Sequence, residues 1–154
     1  MSIDLTFVPA AAIAATGAVL DVRTRKLPNW LCAALAVAAA GGLYVSEGAK
    51  ALPSAGLHAL VALIAGMILF RFGVIGGGDA KFYTAAALGL PLAQALPLLG
   101  WTSVLGLVLF LAMIAGRMLT GRSASLRGWD VPYGVAIFAG FAVTTQLSQL
   151  AWAT

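Results

Sequence analysis

The strongest constraint on this chain is where its charges are missing. Five stretches, 5–20, 27–46, 51–70, 82–116 and 131–154, contain no Asp, Glu, Lys or Arg. A helix needs roughly 20 apolar residues to cross the hydrocarbon core of a bilayer, and each stretch approaches or exceeds that length. Hydrophobic residues make up 62% of the 154 positions and charged residues only 9%, against about 25% charged in soluble domains. A water-soluble core could not hide so much apolar surface. The fold class is therefore all-α, a polytopic bundle of membrane helices.

The fourth stretch is 35 residues long, too long for one crossing, and holds Gly89, Pro91 and Pro97. Glycine and proline interrupt helices, by backbone freedom and by a missing N–H respectively. A break near 90–98 gives six transmembrane spans: 5–20, 28–46, 55–72, 81–96, 99–117 and 132–152. Lys and Arg near span ends are retained on the cytoplasmic side. Eight of the nine (Arg23, Arg25, Lys26, Arg71, Lys81, Arg117, Arg122 and Arg127) then share one side, and only Lys50 lies opposite. Both termini are expected outside, in one domain covering 1–154. No basic region precedes the first span, so it is expected to remain as an anchor.

The net charge of +4 is spread over short loops, without the dense patch and interleaved aromatics of a nucleic-acid surface. The partner implied is the lipid bilayer and no nucleic acid. A single cysteine, Cys32, excludes an internal disulfide and a multi-cysteine metal site. It reads as a small packing residue of the second span.

Acidic side chains are costly near hydrocarbon, which makes the five present informative. Asp4 and Glu47 belong to outer span ends. Asp21, Asp79 and Asp130 all fall at the cytoplasmic face. Asp21 closes the first span ahead of Leu27-Pro28-Asn29, a sharp turn back into the membrane with proline at an early helical position. Asp79 follows Gly76-Gly77-Gly78, read as a loop whose bare backbone could lie against an extended substrate. Asp130 stands two residues before Pro132, where a helix-capping carboxylate is expected. Two adjacent carboxyls split their pKa values and share a proton, one acting as base and one as acid. Such a pair can activate water without histidine, cysteine, metal or cofactor. The one histidine, His58, falls near the outer end of the third span. A small proton- or cation-coupled transporter is the alternative for acidic residues in a bundle, though none falls mid-span.

Three segments together resemble the type IV prepilin peptidases, within the GxGD class of membrane aspartic peptidases. Asp21, Arg25 and Leu27-Pro28-Asn29 look like that family's first aspartate region. Gly76-Gly77-Gly78-Asp79-Ala80-Lys81 is similar to its GxGDxK motif, and Val131-Pro132-Tyr133-Gly134 to its late hydrophobic-Pro-aromatic-Gly segment. The resemblance implies Asp21 and Asp79 as catalytic residues, with Gly76, Gly77, Gly78 and Lys81 beside the substrate. That substrate is a prepilin or pseudopilin precursor with a basic leader and a hydrophobic helix, cut at the cytoplasmic face of the inner membrane. Because a basic leader would be repelled by it, Lys81 is expected to anchor at the interface or to pair with an aspartate. The paired-cysteine region of the methylating members has no counterpart here, so the resemblance implies cleavage without methyl transfer. The compact form resembles the peptidases of Tad/Flp pilus systems.

Overall fold

The structure, a computed structural model, describes residues 5–119 and 131–152. Six α-helices follow one another: α1 (Val8–Thr24), α2 (Asn29–Glu47), α3 (Leu52–Arg71), α4 (Gly77–Ala87), α5 (Ala95–Leu119) and α6 (Tyr133–Trp152). Short 3-10 turns at Leu5–Phe7, Ala49–Ala51 and Leu92–Gln94 precede α1, α3 and α5. Strands are absent among the described residues. Four segments have the length and apolarity to cross a membrane: Leu5–Thr24, Asn29–Glu47, Ala49–Arg71 and Leu92–Leu119.

Burial runs opposite to a soluble protein. The interior is rich in alanine, including Ala10, Ala14, Ala39, Ala55 and Ala86, while Val37, Leu60, Ile64, Met67, Leu107 and Leu111 face outward. Small residues let helix backbones approach closely in lipid, where large side chains gain nothing by turning inward. Gly66 of α3 shows the effect, since a Cβ there would stand 3.0 Å from the Ala80 Cβ of α4. Phe82, Phe141, Leu31, Leu35, Leu43, Leu90 and Leu98 are the large side chains at the centre, and Phe7 meets Phe141 edge-on at 6.2 Å between ring centroids. Cys32 is buried among them.

The fourth predicted span needs correcting. Instead of 81–96, α4 is an 11-residue helix that begins at Gly77 and stops at Ala87. At about 1.5 Å per residue it is roughly 16 Å long, about half the hydrocarbon thickness. Gly89 and Pro91 cause the stop, whereas Pro97 is absorbed in the first turn of α5, where no backbone N–H is needed. Non-helical backbone at membrane depth must find polar partners inside the protein. Two residues of α3 one turn apart supply them: His58 Nδ1 donates to the Leu90 carbonyl at 3.0 Å, and the Leu92 N–H donates to Ser54 Oγ at 3.0 Å. The lone histidine is thus tied to the helix break.

Alternating helix directions put the ends of α1, α3 and α5 beside the starts of α2, α4 and α6. Arg23, Arg25, Lys26, Arg71, Lys81 and Arg117 all lie at or near this end of their helices, and Lys50 at the other. Asp130, Arg122 and Arg127 lie outside the described residues, and with them the capping role expected of Asp130. α6 packs between α1 and α5, and α4 is enclosed by α2, α3 and α6. Asp21 and Asp79 are thereby drawn to one end of the bundle.

Candidate active site

Asp21 sits in the last turn of α1 and is buried, 7% exposed. A carboxylate at a helix C-terminus faces the negative end of that helix's dipole, so it needs a donor from elsewhere. The start of α6 provides one: the Gly134 N–H donates to Asp21 Oδ2 at 2.8 Å, across 113 positions of sequence. Just beyond Asp21 the chain reverses through Arg25, whose N–H caps α1 on the Asp21 carbonyl at 3.0 Å and whose φ of 55° is left-handed.

Asp79 is the third residue of α4 and is half-buried. Its side chain takes a hydrogen bond from the N–H of Gly76, the residue that precedes the helix. This is the acidic half of a capping box. The glycines expected to form a loop are therefore partly helical: Gly76 is extended, while Gly77 and Gly78 open the first turn.

Helix periodicity explains how two residues 58 positions apart come to face each other. Gly17 and Asp21 lie one turn apart on α1, and Asp79 and Phe82 one turn apart on α4. The Phe82 ring rests on Gly17, so closely that a Cβ on Gly17 would fall 2.6 Å from it. One turn along, that contact carries the two carboxyls toward each other, near enough for the Asp21 charge to act on Asp79. Further ties fix the ends. Lys81 Nζ donates to Asn29 Oδ1 at 3.1 Å, and a Cβ on Gly78 would lie 3.4 Å from Leu27. The GxGD segment and the Leu-Pro-Asn turn are thus locked to each other. Lys81 is committed to Asn29 rather than to an aspartate, because its position on the exposed face of α4 overlies the start of α2.

Asp79 stands outside the four span-length helices, at the edge of an apolar cavity of about 410 Å³ between α3, α4, α5 and α6. Ala62, Ala65, Leu69, Tyr83, Leu99 and Ile137 are among its walls. Burial first, and the Asp21 charge second, push the Asp79 carboxyl up to about 6, with the Gly76 N–H pulling the other way. No cation is among the groups that set it.

Gly134 is the site residue that side-chain chemistry could not reveal, because it contributes a backbone N–H. Its only sequence signal is its place in Val131-Pro132-Tyr133-Gly134, a glycine just inside a helix start.

The fold and site define a class: a helical membrane bundle that holds two interacting carboxyls at one end, beside an apolar cavity. Residues 8–111, about two thirds of the chain, match the model of the type IV leader peptidase family. The chain belongs to that family, and is thereby a multi-pass membrane peptidase acting on leader sequences. Comparison with curated proteins and with solved structures gives no match. The matched segment contains Asp21, Gly76, Gly77, Gly78, Asp79 and Lys81, while Gly134 lies beyond it.

Proposed function

We propose that the protein is an aspartic endopeptidase that removes the basic leader of a type IV pilin-like precursor at the cytoplasmic face of the inner membrane, by peptide cleavage alone. Residues 1–154 act as one peptidase domain, with Asp21 and Asp79 as the catalytic pair. The observation that carries this reading is the packing of α1 on α4 through Gly17 and Phe82, which brings those carboxyls together at one end of the bundle in a partly dehydrated site. Family membership supports a peptidase over a cation-coupled transporter.

With the pair singly protonated, Asp79 carries the proton and Asp21 is the base. Asp21 takes a proton from water as the water oxygen bonds to the scissile carbonyl carbon, and Asp79 gives its proton to the carbonyl oxygen. On collapse the C–N bond breaks, the leaving amine takes the proton held by Asp21, and a hydroxyl proton of the intermediate returns to Asp79. The first N–H groups of a helix have no intrahelical partner, so those of Gly77 and Gly78 are the donors for the leader's carbonyls, with Gly76 giving the chain room to pass. Lys81 borders the same path from its tie to Asn29. The apolar cavity beside Asp79 takes the hydrophobic residues that follow the cut.

The test is the purified protein in lipid vesicles, given a precursor with a basic leader and a hydrophobic helix. Mass spectrometry is expected to find two products from one cut ahead of that helix. An intact precursor, with proton or cation flux across the vesicle, would select the transporter instead. Reporters fused after Arg25 and Lys81 should be cytoplasmic and those after Ala49 and Gln94 external.

A further inference from the structure

We propose that Gly134 is a positioning residue of the reaction: its amide, delivered by α6, fixes the orientation of the Asp21 carboxyl, so the reactive centre is built from three helices. The inference rests on the reading of Asp21 as catalytic, and it extends the site beyond the segment matched by the family model.

The geometry gives the amide no other use. Gly134 is the second residue of α6, so its N–H has no partner within that helix. The neighbouring donors are occupied locally, Tyr133 N–H on the Val131 carbonyl at 2.8 Å and Val135 N–H on the Pro132 carbonyl at 3.1 Å. Pro132, in the same turn, has no N–H to compete. Between those two donors, the Gly134 amide is buried and directed at Asp21 Oδ2. A 20-residue helix stands behind it, so the donor is backed by a dipole whose positive end faces the carboxyl. Among the described residues, this is the hydrogen bond that the Asp21 side chain receives.

Only glycine permits the approach. A Cβ at position 134 would lie 2.9 Å from the Asp21 Cβ and 3.0 Å from Oδ2. The first of these atoms is fixed by the α1 backbone and cannot swing aside, so α1 and α6 would have to separate. Holding Oδ2 on a rigid donor leaves Oδ1 as the oxygen that meets water and Asp79. Orientation of this kind acts on turnover, since displacements of about 1 Å in a catalytic group can cost on the order of 100-fold in rate.

Two measurements test the proposal. In Gly134→Ala, kcat per folded molecule should fall on the order of 100-fold while KM stays within about twofold. The matched control is Gly100→Ala, where an added Cβ meets nothing within 4 Å, and it should retain wild-type kcat. Because Gly134→Ala could fail to insert, the second measurement leaves position 134 intact. Hydrogen exchange of the Gly134 amide is compared between the wild-type protein and Asp21→Ala, with expected acceleration of at least about tenfold and no change for amides in the middle of α6. Unchanged exchange at Gly134 overturns the proposal, as does a Gly134→Ala variant with lower yield or melting temperature but normal kcat. The exchange arm reads the hydrogen bond itself, so it stands apart from any failure of Asp21 as a catalytic residue.

Discussion

The two ends of this bundle both bring polar groups into an apolar setting, and they treat them in opposite ways. Between α4 and α5, the Leu90 carbonyl and the Leu92 N–H freed by the helix break are each paired to a side chain of α3, His58 and Ser54. At the other end, two carboxyls of the same sign are kept close enough to disturb each other, with backbone amides as their donors and no cation among the groups acting on Asp79. The first arrangement neutralises what the break exposes. The second preserves an electrostatic conflict, and it is on that conflict that the proposed reaction draws. The glycines divide along the same line. Gly89, which a Cβ would drive into Ala39 and Phe141, serves packing, whereas Gly76 and Gly134 are, among the described residues, the two whose added Cβ would meet a carboxyl.

Substitutions at the two ends should therefore separate activity from stability, and Gly76→Ala is expected to do so most sharply. A Cβ there would approach Asp79 Oδ2 at 2.8 Å, the free end of a side chain that can rotate away. Cleavage should drop by about 10- to 100-fold as Asp79 loses its alignment, while thermal stability changes by less than about 1 kcal/mol. The reverse is expected of His58→Leu. Leaving the Leu90 carbonyl unpaired should cost about 1–3 kcal/mol, seen as a lower melting temperature, without a matching fall in kcat of the folded fraction. Equal losses of stability and turnover in both variants would erase the distinction between the ends.

The pH profile sharpens the same comparison. Asp79 is pushed up to about 6, so the proton it must deliver is present below that value and lost as pH rises through it. kcat/KM should accordingly fall on the alkaline side with a midpoint near 6. Bound precursor would exclude more water and move the limb in kcat upward. Folding stability follows the same sign, because ionising Asp79 is harder in the folded protein than in the unfolded chain, and this group opposes folding most above that midpoint. The smallest effect is expected at the exposed tie between Lys81 and Asn29. Lys81→Met and Asn29→Ala should each cost about 0.5–1.5 kcal/mol, and the double variant should cost clearly less than their sum.

How far the sequence reveals this molecule follows from which physical signals side chains carry. The helices could be traced because charge-free stretches and prolines are compositional facts. The early end of α4 is only half legible: Gly89 and Pro91 mark an interruption, but what permits irregular backbone so soon after Ala87 is the placement of His58 and Ser54 on α3. The two aspartates stood out because a carboxyl in such a chain is costly. Gly134 is marked by its place in Val131-Pro132-Tyr133-Gly134, but its role is not, since a backbone N–H is present in every residue except proline. Of the two roles the sequence suggests for Lys81, interfacial anchoring and an aspartate partner, the second is not what the structure shows: its ammonium hydrogen-bonds Asn29. Charge pattern suggests a partner for a lysine, but only the packing of α4 on α2 decides which group is within reach.

The central claim, a carboxyl pair in which both members must titrate, is tested most directly by measuring precursor cleavage with Asp21→Asn and Asp79→Asn, each confirmed by immunoblot to be inserted at wild-type levels. An amide preserves the shape of the side chain but cannot take up or deliver the proton that the reaction moves. Each variant should lose leader cleavage by at least about 10³-fold, within the range that general acid and base catalysis contributes. Wild-type cleavage in either variant, with normal insertion, would contradict the pair and with it the aspartic mechanism.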